Sequence, residues 1–244
     1  MASWLKLSAE DGHEFSAYHS ESSDTPCKGR LVVIQEVFGV NRHIRDVCDR
    51  FSENGFDALA PSLFDRLEPD VQLGYSAEDV AKGRSLRSRM AWQDGLRDTI
   101  ACIDYLAQSG PVAVVGFCYG GAIAWLAANT SRLNAAVCYY GSYIHQFRDH
   151  HPQCPAQLHF GALDHMIPLE DIENIKAANT EANLDVCVYP DAGHGFNCNL
   201  RDSFHGPSAE LAWQRTLDFL SQSCSKARKT HNAACQNFSG SFKE

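Results

Sequence analysis

Apolar residues recur along this chain in two alternating rhythms, short unbroken runs and helical spacings, and the alternation predicts the architecture. Near the start, WLKLS and EFSAYHS flank Glu10-Asp11-Gly12, so two short strands joined at an Asp-Gly turn are expected. Residues 21–29 are polar and contain a proline, which marks a loop. RLVVIQE is apolar without alternation, as in a strand covered on both faces. Asn41 can cap the helix RHIRDVCDRFSEN, whose Ile44, Val47 and Phe51 share one face, and Gly55 can close it. FDALAP is the next strand. Residues 61–75 have no period and read as a long loop. Ser76 and Asp79 can start a long helical region, which Gly83 and Gly95 are expected to interrupt.

The rhythm then repeats. VAVVGF is a strand and GGAIAWLAAN a helix; NAAVCYYG and AQLHFGALD are strands; PLEDIENIKAAN is a helix, LDVCVYP a strand and SAELAWQRTLDFLSQS a final helix. Strands alternating with helices predict an α/β fold, a mostly parallel sheet with helices on both faces and an antiparallel hairpin at its N-terminal end. Residues 1–222 are expected to form one domain, and the polar residues 223–244 a flexible tail.

Composition narrows the function. The 244 residues are 44% hydrophobic, enough for a substantial core. A formal net charge of -9 argues against nucleic acid or an anionic membrane as partner. The opening MASWLKLSAEDGHEF lacks the pattern of a signal peptide, and no apolar run is long enough to cross a bilayer. A cytoplasmic protein is expected, a monomer or small homo-oligomer acting on a small molecule. Reduced thiols then account for most of the ten cysteines, and without a Cys-x-x-Cys pair a zinc ribbon has no support.

Three segments with useful chemistry fall at strand ends, where open α/β sheets bind ligands. Gly116-Phe117-Cys118-Tyr119-Gly120 is a Gly-x-Cys-x-Gly turn between strand and helix. Such a turn exposes its central side chain at a helix N-terminus, which favours thiolate. Asp164 follows the strand AQLHFG, and His194 follows LDVCVYP. Nucleophile, acid and histidine therefore occur in the chain order of α/β hydrolases. Asp171 is a rival acid, but it falls inside a predicted helix. His150-His151 is a fragment of a metal site or a solvated loop. Glu36 ends the strand RLVVIQE, and the loop after it can supply an oxyanion donor. The Val37 and Tyr119 N–H groups are assigned as the two donors. Phe38, Tyr140 and Phe196, beside these strand ends, are expected to contact substrate.

QEVFGVNRHIRDV, ALAPSLFDR, VVGFCYGGA, VCYYG, HFGALDHMIP, AGHGFN and RTLDFL together resemble the dienelactone hydrolase family over residues 29–220. The resemblance implies a small α/β hydrolase with a Cys118–His194–Asp164 triad. It also implies that Glu36 contacts the resting thiol and helps to deprotonate it. A cysteine-dependent hydrolase of a small ester or lactone, working through a thioester and needing no cofactor or metal, is expected. A general small-acyl esterase or thioesterase is the alternative, and a non-catalytic thiol redox sensor a second one. The sequence departs from the family in one place: four residues after His194 stands Cys198, where the family type has a carboxylate-binding arginine. Arg201 from that side, and Arg84 or Arg87 from the other, are the candidate anchors.

Overall fold

The computed structural model describes residues 2–239. Its eight strands form one sheet in the order β1-β2-β4-β3-β5-β6-β7-β8. The hairpin β1 (Ala2–Ser8) and β2 (Glu14–Ser20) joins antiparallel to β4 (Phe56–Pro61). From β4 onward every pairing is parallel, through β3 (Gly29–Ile34), β5 (Val112–Phe117), β6 (Ala135–Tyr139), β7 (Ala156–Gly161) and β8 (Leu184–Tyr189).

The unbroken apolar runs are the interior strands. Every residue of β5, β6 and β7 is buried, whereas the edge strands β1 and β8 alternate with exposed positions. Helix α1 (Arg42–Glu53) buries Ile44, Val47, Cys48 and Phe51, and the Asn41 side chain caps it by accepting from the Ile44 N–H at 3.3 Å. Helix α4 (Tyr119–Ala128) is buried at all ten positions, so it lies in the core rather than on the surface.

The region after β4 departs from expectation twice. Residues 61–75 are not a free loop. Leu63–Arg66 form a 3-10 turn, and Arg66 donates to buried Asp98 at 2.7 and 2.9 Å and to Asp11 at 2.8 and 3.1 Å. Specific polar contacts of this kind leave no hydrophobic period to read. The helical region divides into α2 (Ala77–Arg89), opened by the Ser76–Asp79 capping box, and α3 (Trp92–Ala107). The break falls between them, at neither glycine. A Cβ on Gly83 would stand 2.2 Å from the Val37 carbonyl oxygen, and one on Gly95 2.6 Å from the Tyr119 hydroxyl. Both glycines let helices approach the strand ends; neither ends a helix.

Helix α5 (Leu169–Ala178) is as expected. The last helix, α6 (Gly206–Ser239), runs on through most of the expected tail. Cys224 is fully buried in the core, so the expected boundary at 222 falls within a packed helix. No glycine or proline interrupts residues 208–239, and their alanines, lysines and arginines are good helix formers. Residues 240–244 of that tail lie outside the described residues.

Gly83→Ala should destabilise the fold by about 1–3 kcal/mol, the usual cost of overpacking. The contact is with backbone, which cannot rotate away, and this outweighs the ~1 kcal/mol that alanine gains over glycine in a helix. Urea unfolding of the two proteins measures the difference; equal or greater stability for the variant would show that α2 does not press on the β3 loop.

Candidate active site

The strand β5 carries the chain straight into α4 through a single residue, Cys118, whose φ of 53° and ψ of -113° lie where few side chains are tolerated. Such a conformation costs about 1–3 kcal/mol and persists only where its surroundings impose it. Here the glycines impose it. A Cβ on Gly116 would stand 1.9 Å from the Gly120 carbonyl oxygen, and one on Gly120 2.4 Å from that of Ile34. The Cys118 N–H bonds the Tyr139 carbonyl at 2.9 Å, and its carbonyl accepts from Gly121 at 3.0 Å. Tyr119 is the first residue of α4, so its N–H is among the donors that a helix leaves free at its N-terminus.

The thiol meets the other two members of the predicted triad. Cys118 Sγ lies 3.2 Å from His194 Nε2, and His194 Nδ1 lies 2.8 Å from Asp164 Oδ2. The other Asp164 oxygen accepts from the Met166 N–H at 2.8 Å, which fixes the carboxylate. Burial pushes His194 towards its neutral form, but the Cys118 charge and the Asp164 hydrogen bond outweigh it and hold the imidazole up at about 10. The rival acid Asp171 sits on α5 beside His145, 3.7 Å from its Nδ1, and takes no part. His151 bonds Asn179 at 3.0 Å.

Glu36 is fully buried and pairs with Arg201, whose Nη1 donates to Oε1 at 3.1 Å; the resting thiol faces His194 instead. The expected contact between Glu36 and the thiol is therefore replaced by an ion pair. An arginine three residues beyond the expected position reaches this carboxylate across 165 positions of sequence. Glu36 Oε2 and His43 Nε2 are buried and have no hydrogen-bond partner among the described residues. With Cys198 these two residues form a group able to hold a metal ion, with ligand atoms within 4.8 Å of one another.

Cys118 and His194 open into a cavity of about 380 Å³, which Val37, Phe38, Arg84, Arg87 and Arg201 also line. Arg84 is exposed at this cavity, whereas Arg87 stacks on Trp92 at 3.7 Å and on Tyr119 at 4.7 Å. Tyr140 and Phe196, expected to touch substrate, are fully buried and absent from the lining. They pack behind the triad instead, with the Tyr140 ring 5.1 Å from His194 and 5.6 Å from Phe196. The sequence reading missed Ser142, whose Oγ is 3.8 Å from the thiol, and Tyr143 and Met166 on the cavity wall. Ser142 and Tyr143 follow the end of β6, so the rule that ligands bind at strand ends could have flagged them.

Comparison with known proteins agrees with this arrangement. The family model described as "Dienelactone hydrolase family" matches residues 15–224. The chain is 36% identical over 234 residues to the "Putative carboxymethylenebutenolidase" of Escherichia coli (strain K12), covering 86% of this chain and 83% of that one. It is 30% identical over 230 residues to the "Carboxymethylenebutenolidase" of Pseudomonas putida, covering 91% and 97%. The solved structure of the "Putative Dienelactone Hydrolase from Klebsiella pneumoniae subsp. pneumoniae MGH 78578" superposes with a TM-score of 0.79 at 29% identity, covering 91% of this chain and 99% of that one. With an α/β-hydrolase sheet, a strand-to-helix cysteine turn and a family match over most of its length, the chain belongs to the dienelactone hydrolase family and is a hydrolase acting on ester bonds.

Proposed function

We propose that this hydrolase uses Cys118 as a nucleophile on small, anionic esters or lactones and passes through a thioester. The observation that carries the reading is the continuous contact from Cys118 Sγ to His194 to Asp164, set in a cavity with three arginines on its walls. Cys118 thiolate adds to the ester carbonyl, and the oxyanion lies between the Val37 and Tyr119 N–H groups. Collapse of this intermediate breaks the C–O bond, and the alkoxide leaves with the proton held by His194. In a lactone the leaving oxygen stays tethered to the acyl group. His194 then takes a proton from water, whose oxygen attacks the thioester, and the Cys118 thiolate departs.

Charge supports an anionic substrate. A protein of net charge -9 repels anions as a whole, so an anion-binding cavity needs local cations. A guanidinium carries five N–H donors, so Arg201 can keep its bond to Glu36 while donating to a substrate carboxylate. Val37, Phe38 and Met166 supply an apolar wall for the rest of the molecule. Glu36 holds Arg201 in place through the 3.1 Å bond from Nη1. Tyr140 and Phe196 act here as packing that fixes the His194 ring.

Two outcomes are expected. Cys118→Ala should abolish ester turnover and lower the His194 titration midpoint, because the negative charge that holds the imidazolium has gone. In the wild type the His194 ring signal should titrate near pH 10; in the variant the midpoint should move down. NMR of the histidine ring protons measures both; retained turnover, or an unchanged midpoint, would remove Cys118 from the triad.

Removing an arginine that anchors carboxylate should raise KM for the acid by roughly 10-fold or more, as expected for a hydrogen bond to a charged group worth about 1.5–3 kcal/mol. The neutral methyl ester of the same substrate should be almost unaffected. The measurement is kcat/KM for both substrates with wild type, Arg84→Ala, Arg87→Ala and Arg201→Ala. A wild type that prefers the neutral ester, with the ratio unchanged in every variant, would favour a general small-ester hydrolase on the same triad.

A further inference from the structure

Behind the catalytic cavity, three side chains from separate parts of the chain converge. Glu36 stands at the end of β3, His43 in the first turn of α1, and Cys198 in the loop between β8 and α6. All three are buried: 0% exposed for Glu36 and Cys198, and 3% for His43. Their carboxylate, imidazole and thiol atoms lie within 4.8 Å of one another. An interior normally pairs its polar atoms, yet among the described residues Glu36 Oε2 and His43 Nε2 have no partner. The Cys198 thiol meets the Tyr75 hydroxyl at 3.1 Å and the Leu200 backbone.

We infer that Glu36, His43 and Cys198 form a binding site for a divalent, thiophilic metal ion of the zinc class. The donor set of one thiolate, one imidazole and one carboxylate matches what zinc accepts, at bond lengths of about 2.0–2.3 Å. An ion held here lies among the two side chains whose buried atoms lack a partner among the described residues. A neutral imidazole is the form that can donate its lone pair to a metal. The Cys198 proton is released to solvent as the Zn–S bond forms. The thiolate offsets part of the added charge, and Arg201 retains Glu36 Oε1 on the other side of the carboxylate.

His43 also lines a separate cavity of about 190 Å³ between α1 and the start of α6, whose walls carry Asp46 and Glu210 together with Arg50. An ion bound to Glu36 pins the carboxylate that faces Arg201. The binding claim itself stands apart from the proposed chemistry.

The test must remove the competing Cys118–His194 pair, itself a thiophilic site. Full-length protein carrying Cys118→Ala is stripped with chelator and titrated anaerobically with Co²⁺, a spectroscopic stand-in for zinc. One equivalent should bind, with thiolate-to-metal absorption in the near ultraviolet, and Zn²⁺ should displace it. Adding Cys198→Ser should abolish that absorption. Adding His43→Gln should weaken binding by more than about 100-fold, beyond the 10–100-fold loss typical of an outer-shell partner. Absence of binding in Cys118→Ala, persistence of the absorption with Cys198→Ser added, or an affinity unchanged by His43→Gln would overturn the site. If Cys198→Ser does not fold, the His43→Gln protein decides the question alone.

Discussion

Everything in the candidate active site depends on a backbone that turns within one residue. Cys118 holds φ at 53° between a fully buried strand and a fully buried helix. The turn closes because hydrogen alone stands where Gly116 and Gly120 face neighbouring carbonyl oxygens. A methyl group at either position would push α4 away from β5 and carry the thiol off His194. The strain of about 1–3 kcal/mol at Cys118 is held by the packing of α4, which has no exposed face on which to relax. The same close packing recurs one layer out, where Gly83 brings α2 down onto the Val37 carbonyl. The loop proposed to supply an oxyanion donor is thereby clamped from above, and the site is pre-organised by glycines on two elements.

Electrostatics then gives the two buried carboxylates different partners. Asp164 faces the imidazole and favours its cation; Glu36 faces a guanidinium and is kept apart from the triad by it. On the proposed chemistry, the first bond must persist through turnover, and the second holds the arginine that receives the substrate carboxylate. The arginines around the cavity give an acidic protein a locally cationic site, and the buried Tyr140 and Phe196 hold the histidine ring from behind.

Much of this was legible in the sequence because it obeys local rules. Apolar runs marked the interior strands, Asn41 and Ser76 marked helix starts, and the order cysteine, aspartate, histidine placed three side chains at strand ends that the sheet then brings together. What was not legible depends on contacts far apart in the chain. The pairing of Glu36 with Arg201 spans 165 positions, and no spacing rule announces it. Gly83 and Gly95 were read as helix breaks because a glycine that ends a helix and one that admits a neighbour look alike in sequence. Residues 223–239 were read as tail because polarity alone does not separate a coil from a polar helix. Tyr140 and Phe196 were placed against substrate because strand ends carry both lining and supporting residues, and only burial tells them apart.

The central claim is that the acyl group is carried on Cys118. It is tested most directly by intact-protein mass spectrometry of acid-quenched enzyme during ester turnover, followed by peptide mapping. His194→Asn, which cannot activate water, should accumulate a species heavier by one acyl group, located on the peptide that contains Cys118 and lost on treatment with hydroxylamine. Cys118→Ala should show no such species. An acyl group on another residue, or none in a His194→Asn protein that still consumes one equivalent of ester, would contradict the account.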